Sequence, residues 1–461
     1  MTRRPRGGSL EAVAPAVAAT AMLLIVAGCL VVVVGASQPA AFLSPSLHAH
    51  PAGWLNWPFG GLGRWHPSDR MTLQWLLLAV LLAMTACYGV ALWLAERLSQ
   101  RFVVGVVIAV YAIFLLSPPL LLTDVFNYVE YARMGVDHGL NPYTQLAIHV
   151  FHDPVRVLSN WHHLRSPYGP LFTLMMYALA PLGLAGAYWG YKVLLFAASL
   201  GCLWLVAAIA RRLGIPPIRA VILVGLNPLV LLYGAGGQHN DMFTLLPILA
   251  GLYLLIGRRE SLGGASFVAA AATKASAVLL VPIAIAAGPR RLRSLAGAAV
   301  AALVLGGASL LAFGPNLPAI DQQSRLVTSF SMPNVMGYVL GQGGETSSVR
   351  LICQALLATA VVACTAYAWR SRDALAPLGW LTVATIATLG WDMPWYLLWL
   401  LPFIALVRGR AFRIAAVFVA VWLTVQWLPQ VPREVAKAAG FNPLSTKVGK
   451  SNRAYLMKLL H

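Results

Sequence analysis

Long apolar runs separated by short polar stretches set the pattern of this chain from residue 12 to residue 428. Runs of about 17 to 25 apolar residues are the length that crosses a bilayer as a helix. They occur at 12–36 and at about 72–94, 102–122, 188–210, 216–234, 242–257, 294–314, 350–369 and 374–390. Two more end at Arg408 and near Trp427, which makes eleven predicted spans. The run at 171–183 is short for a crossing, so it is expected to lie at the outer interface or to re-enter. Residues 262–288 sit between Arg258-Arg259 and Arg290-Arg291-Arg293. At about 1.5 Å per residue they cannot make two full crossings, which predicts a helical hairpin with Lys274 near its tip.

Charge orients the spans. Arg3, Arg4 and Arg6 precede the first run, and further basic clusters fall at Arg97/Arg101, Arg211-Arg212, Arg258-Arg259, Arg370/Arg372 and Arg408/Arg410/Arg413. Placing these loops in the cytoplasm puts residues 37–70, 123–166, 315–349 and Trp391–Tyr396 outside. Trp54, Trp57 and Trp65 suit a segment at headgroup level. The tail then falls outside too, against the same rule, because Lys437, Lys447, Lys450, Arg453 and Lys458 make it basic. The expected fold is an all-α polytopic membrane protein of about 11 to 13 transmembrane helices, with juxtamembrane helices at the outer face and no separate soluble domain. It comprises an N-terminal helix pair (12–101), a helical core (102–430) and a polar basic tail (431–461).

Composition sharpens this. With 59% hydrophobic and 10% charged residues, the chain is too apolar for a soluble core. Its net charge of +19 is dispersed in loops rather than gathered into a patch, which argues against nucleic-acid binding. Cys29, Cys87, Cys202, Cys353 and Cys364 lie in apolar segments without close pairing, so neither a disulfide framework nor a zinc site is expected.

There are only 14 acidic residues, and those away from the basic clusters gather on the predicted outer side. Asp124 follows an apolar run directly, where an ionisable group is a candidate functional residue. On a helix beginning there, Asp124, Asn127, Tyr128 and Tyr131 share one face, while Glu130 and Asp137 point away. One carboxylate with an amide and two phenols can hold a sugar hydroxyl and accept its proton. The bland alternative is that Asp124 only caps the helix, as Asp241 and Asp392 would cap theirs. His239 can donate to a phosphate oxygen, and Lys192 either snorkels or meets a lipid phosphate. Lys274 is a charge in an apolar hairpin, costly without a task. His149-x-x-His152-Asp153 has a spacing a metal could use, but no second ligand set accompanies it, so no metal centre is assigned.

Asp-Val-Phe-Asn-Tyr at 124–128, Gly-Leu-Asn-Pro-Tyr at 139–143, Ser-Pro-Tyr-Gly-Pro-Leu at 166–171 and Gln-His-Asn-Asp at 238–241 occur in that order. In this the chain resembles the GT-C glycosyltransferases, most closely the polyprenol-phosphate-mannose-dependent α-1,6-mannosyltransferases of actinobacterial envelopes. Thr123 stands where a basic residue is expected in that group. The resemblance implies a GT-C-like helical bundle, an extracytoplasmic active site, a polyprenyl-phosphate sugar donor, a lipid-anchored glycan acceptor in contact with membrane lipids, and inversion at the anomeric carbon. Asp124 would be the general base. Substrate contacts are expected from Asn127, Tyr128, Tyr131, Tyr168, Gln238, His239, Asn240, Asp241, Lys192, Lys274, Arg325 and Asp392. No cofactor is implied, and a divalent metal is left open. A transporter or flippase for lipid-linked sugars is the alternative; it would place charge at the midplane and show a repeat between halves, and no repeat is visible.

Overall fold

The computed structural model describes residues 8–38, 43–62 and 69–460; Arg3, Arg4, Arg6 and Trp65 lie outside them. Among the described residues all regular structure is helical. Among the described residues six helical stretches are long and apolar enough to cross a membrane: Val13–Ala36, Arg70–Trp93, Pro170–Arg212 (interrupted at Gly183), Arg291–Phe313, Ser347–Ser371 and Arg410–Trp427. A seventh candidate is the pair Pro217–Gly225 and Val230–Gly236, bent by 70°. Shorter apolar helices pack among them: Gln100–Leu116, Asp241–Ile256, Ala275–Ala287, Leu375–Thr388 and Pro394–Leu406. The outer surface of the long helices is apolar, with Leu303 76% and Leu311 90% exposed. In water such a surface would be a liability; against lipid it is the expected exterior. The chain is a multi-pass membrane protein.

The helix ends sort onto two faces. On one, the basic clusters tie the elements together. Arg212 donates to the Tyr253 carbonyl, Arg408 to that of Leu213, Arg372 to that of Gly288 and Arg291 to that of Trp369. On the other, backbone N–H groups of Leu120, Gly169, Ala319 and Thr328 donate to the carbonyls of Gly236, Thr273, Ser166 and Gly390. This second face carries Asp124.

Two short elements behave as their lengths require. Pro170–Leu179 does not run straight into Gly183–Arg212, because Gly183 has φ +73° and the chain reverses there. Phe172 and Tyr191 consequently meet with ring centroids 6.3 Å apart. A straight helix would separate them by roughly 28 Å. Residues 260–287 form the expected hairpin: Glu260–Thr273 ascends, and Ala275–Leu280 with Val281–Ala287 descends. Lys274 lies at the turn. The ascending helix is roughly 21 Å long, enough to carry Lys274 from the basic face to the level of Asp241.

Candidate active site

Asp124 opens the Asp124–Val136 helix, after Thr123. Its carboxylate does not cap that helix; it accepts a hydrogen bond from Trp161 Nε1 at 3.1 Å. The preceding segment is pinned by the Leu120 N–H on Gly236 and the Leu121 N–H on Leu43. The first of these bonds joins the approach to Asp124 to the π-helical turn Val230–Gly236, which delivers residues 238–241. π-Helical turns commonly re-aim side chains at functional sites. Here the turn sets His239 Nδ1 3.4 Å from Asp124 Oδ2. The His239 ring is stacked on Trp395, with centroids 3.4 Å apart.

Asp241 begins the next helix and likewise does not cap it. Its Oδ1 accepts from Lys274 Nζ and from Trp399 Nε1, each at 2.7 Å. The Ser-Pro-Tyr-Gly-Pro stretch explains why Lys274 arrives there. Gly169 donates its N–H to the Thr273 carbonyl at 3.1 Å, and a Cβ at residue 169 would collide with the Ala272 carbonyl. Only glycine lets the hairpin tip come this close. The Gly-Leu-Asn-Pro-Tyr stretch supports it from behind. Asn141 donates to the Phe313 carbonyl at 2.7 Å, and Tyr143 donates its hydroxyl to the Tyr168 carbonyl at 2.9 Å.

These groups surround a cavity of about 230 Å³. Asp124, Asp241 and Lys274 supply its charge, Tyr128, Tyr168 and Asn240 add polar edges, and Trp161, Trp391, Trp395, Tyr396 and Trp427 form much of the wall. Burial holds the Asp124 carboxyl up at about 6, against the Trp161 N–H and the Lys274 charge, which pull it down. His239 is held well below the usual histidine range, first by burial and then by Lys274, and is therefore neutral.

Several expected contacts lie elsewhere, each for a visible reason. The Asn127 amide is consumed by Asn160 and the Trp161 backbone. Tyr131 donates its hydroxyl to the Leu164 carbonyl. Gln238 donates to the Tyr188 hydroxyl, and Lys192, buried, to the Ser117 carbonyl, so both serve the helix packing below the site. Asp392 accepts from Gln426 Nε2 at 2.8 Å and from Thr328 Oγ1. Arg325 is exposed beside the cavity without lining it. Asp153 accepts from Arg133 and His138, and the His152 ring meets Phe151. Glu130 turns away from Asp124, as its helical position requires.

The roles of the tryptophans at 161, 395 and 399 and the pairing of Lys274 with Asp241 emerge only from the structure. Tryptophans beside spans look like interface anchors, and nothing in their spacing separates a wall from an anchor. The Lys274–Asp241 pair had a signal: an isolated cation at a hairpin tip needs an acid at the same depth.

A family model described as "Alpha-(1->6)-mannopyranosyltransferase, N-terminal domain" matches residues 20–289, which include Asp124, His239, Asp241 and Lys274. An alpha-(1->6)-mannopyranosyltransferase of Mycobacterium tuberculosis is 25% identical over 388 residues, covering 66% of this chain and 65% of that protein. Alpha-(1->6)-mannopyranosyltransferase A of the same organism is 26% identical over 355 residues, covering 68% of this chain and 67% of its own. The enzyme of that name in Corynebacterium glutamicum is 27% identical over 174 residues, 36% and 34% of the two chains. The chain thus spans about two thirds of the length of the first two relatives and about a third of the last. No solved structure matches.

Proposed function

The chain belongs to the alpha-(1->6)-mannopyranosyltransferase family, and from that premise we propose that it transfers mannose from a polyprenyl-phosphate donor to a hydroxyl of a lipid-anchored glycan, with inversion, on the extracytoplasmic face of the membrane. The observation that carries this reading is a single cavity holding a poised carboxylate, Asp124, and an anchored cation, Lys274.

The chemistry follows from the two charges. The acceptor hydroxyl oxygen attacks the anomeric carbon while Asp124 takes the hydroxyl proton. The bond from the anomeric carbon to the phosphate oxygen breaks, and its electron pair leaves with polyprenyl phosphate. Attack from the side opposite the leaving group inverts the centre. Asp241 holds Lys274 by one of its three donors, and the ammonium favours the charge that grows on the departing phosphate. Trp161 Nε1 orients the Asp124 carboxylate by its hydrogen bond, and neutral His239, stacked on Trp395, lies against the other oxygen. The aromatic walls exclude water, which strengthens each of these interactions. A donor with a lipid tail accounts for a catalytic cavity built at the end of a membrane bundle.

Purified full-length chain in nanodiscs, given radiolabelled polyprenyl-phosphate mannose and an α-mannan oligosaccharide, is expected to form a labelled α-linked product. GDP-mannose is expected to be inert. Transfer from the nucleotide donor, or no transfer from the lipid donor, overturns the proposal.

A further inference from the structure

Residues beyond the Arg410–Trp427 helix fold back over the site. Val431–Ala438 is followed by Lys447–Leu460, and the second of these helices is docked by its inner side. The His163 N–H donates to the Leu459 carbonyl at 3.0 Å, and the Tyr455 hydroxyl to the Gln322 carbonyl at 3.1 Å. Leu459 packs with Leu164 and Leu326. Leu456 and Leu460, one turn apart, reach past this cluster and line the cavity that holds Asp124.

The other side of the helix is different in kind. Lys447, Lys450, Arg453 and Lys458 are exposed, and none forms an ion pair among the described residues. Apolar side chains are exposed among and just before them: Met457, Leu444 and, on the preceding helix, Val435 between Arg433 and Lys437. A tail whose exposed surface alternates basic and apolar groups across two short helices suits a segment resting in a lipid headgroup layer. These charges also stand on the face opposite the arginine clusters of the loops, so they do not serve as a cytoplasmic retention signal. What remains is attraction for anions, and at the rim of a membrane bundle the anions at hand are phospholipid headgroups.

We propose that the Lys447–Leu460 helix is a lid of the cavity, its inner leucines forming the wall while its outer basic face binds anionic headgroups of the surrounding leaflet. Anionic lipid then holds the lid down. Neutral lipid leaves it held by its protein contacts alone: the Leu164–Leu326–Leu459 cluster, the two hydrogen bonds to Leu459 and Gln322, and the Thr446 hydroxyl on the Gly343 carbonyl at the start of the helix.

Hydrogen–deuterium exchange of the full-length chain tests this without recourse to activity. In nanodiscs of phosphatidylcholine mixed equally with phosphatidylglycerol, amides of 447–460 are expected to exchange at least about fivefold more slowly than in phosphatidylcholine alone, the factor for one basic side chain at an anionic surface. High salt is expected to erase the difference. A variant carrying Lys447→Gln, Lys450→Gln, Arg453→Gln and Lys458→Gln is expected to exchange equally in both discs, with Asp124–Val136 protection unchanged as the sign of an intact fold. Leu456→Ala with Leu460→Ala is expected to speed exchange in both lipids. Equal exchange of the unaltered chain in the two discs, or full anionic protection of the four-Gln variant, overturns the proposal.

Discussion

At the scale of single residues, two buried carboxylates on one helix are set to opposite tasks. Asp124 borders the cavity with its side chain 14% exposed, while Glu130 is fully buried, with only Ser159 and the Arg156 charge nearby to favour its ionised form. A base must be ionised to act. With Asp124 pushed up to about 6, kcat/KM is expected to fall as pH drops through 6 and to plateau above it. Trp161→Phe removes the N–H that favours the carboxylate, so the midpoint is expected to move upward; Asp124→Asn is expected to lower kcat by about 10² to 10⁴-fold on the plateau above pH 6 and to remove this pH dependence. Pre-steady-state transfer across a pH series measures all three. Glu130 instead bears on stability. Burial raises its pKa from 4.5 to about 7, so between those values the folded chain binds more protons than the unfolded one. Its contribution is therefore full below 4.5 and is lost as pH rises through 7. Glu130→Gln removes the titration, and its thermal midpoint relative to the unaltered chain is expected to climb over that window and level off above it.

At the scale of elements, the hairpin was legible as topology and illegible as chemistry. Flanking arginines and a length of about 27 residues dictated that 262–288 return to the side it came from. That its tip would meet Asp241 depends on the depth of insertion, which periodicity does not encode. The same limit applies to Asp124, Asn127, Tyr128 and Tyr131. Helical spacing assigns all four to one face, but only Asp124 and Tyr128 line the cavity, because the loop at 160–164 covers the other two. Gly169 makes the depth testable. Gly169→Ala is expected to push the tip away, since its Cβ would meet backbone rather than a flexible side chain. A displacement of about 1 Å at a catalytic group costs on the order of 100-fold, so kcat is expected to fall by that order. Gly105→Ala, which meets open space, is expected to leave kcat unchanged. Equal behaviour of the two variants would show that the tip contact does not position Lys274.

For the whole molecule, the apolar pattern and the motif order were sufficient to indicate a helical membrane protein of this transferase family, and charge divided its loops between two faces. The tail set these signals against each other. Lys437 lies within about ten residues of the Arg410–Trp427 helix, inside the zone where the positive-inside rule operates, and that rule alone would draw the tail to the arginine side. Packing decides otherwise: Leu456, Leu459 and Leu460 have their partners in loops 161–164 and 322–326, on the Asp124 face. Leu459 is buried, with Leu456 and Leu460 half-buried beside it; full burial of one leucine contributes about 1.5 to 3 kcal/mol, more than the cost of a few exposed lysines at a headgroup layer that attracts them. The expected topology follows in a form that can be checked in intact cells. Single cysteines at the exposed positions Ser324→Cys and Ser451→Cys should both react with a membrane-impermeant maleimide. Ser371→Cys, beside Arg370 and Arg372, should react only after permeabilisation. Reaction of Ser451→Cys only after permeabilisation would separate the tail from the cavity and remove Leu456 and Leu460 from its wall.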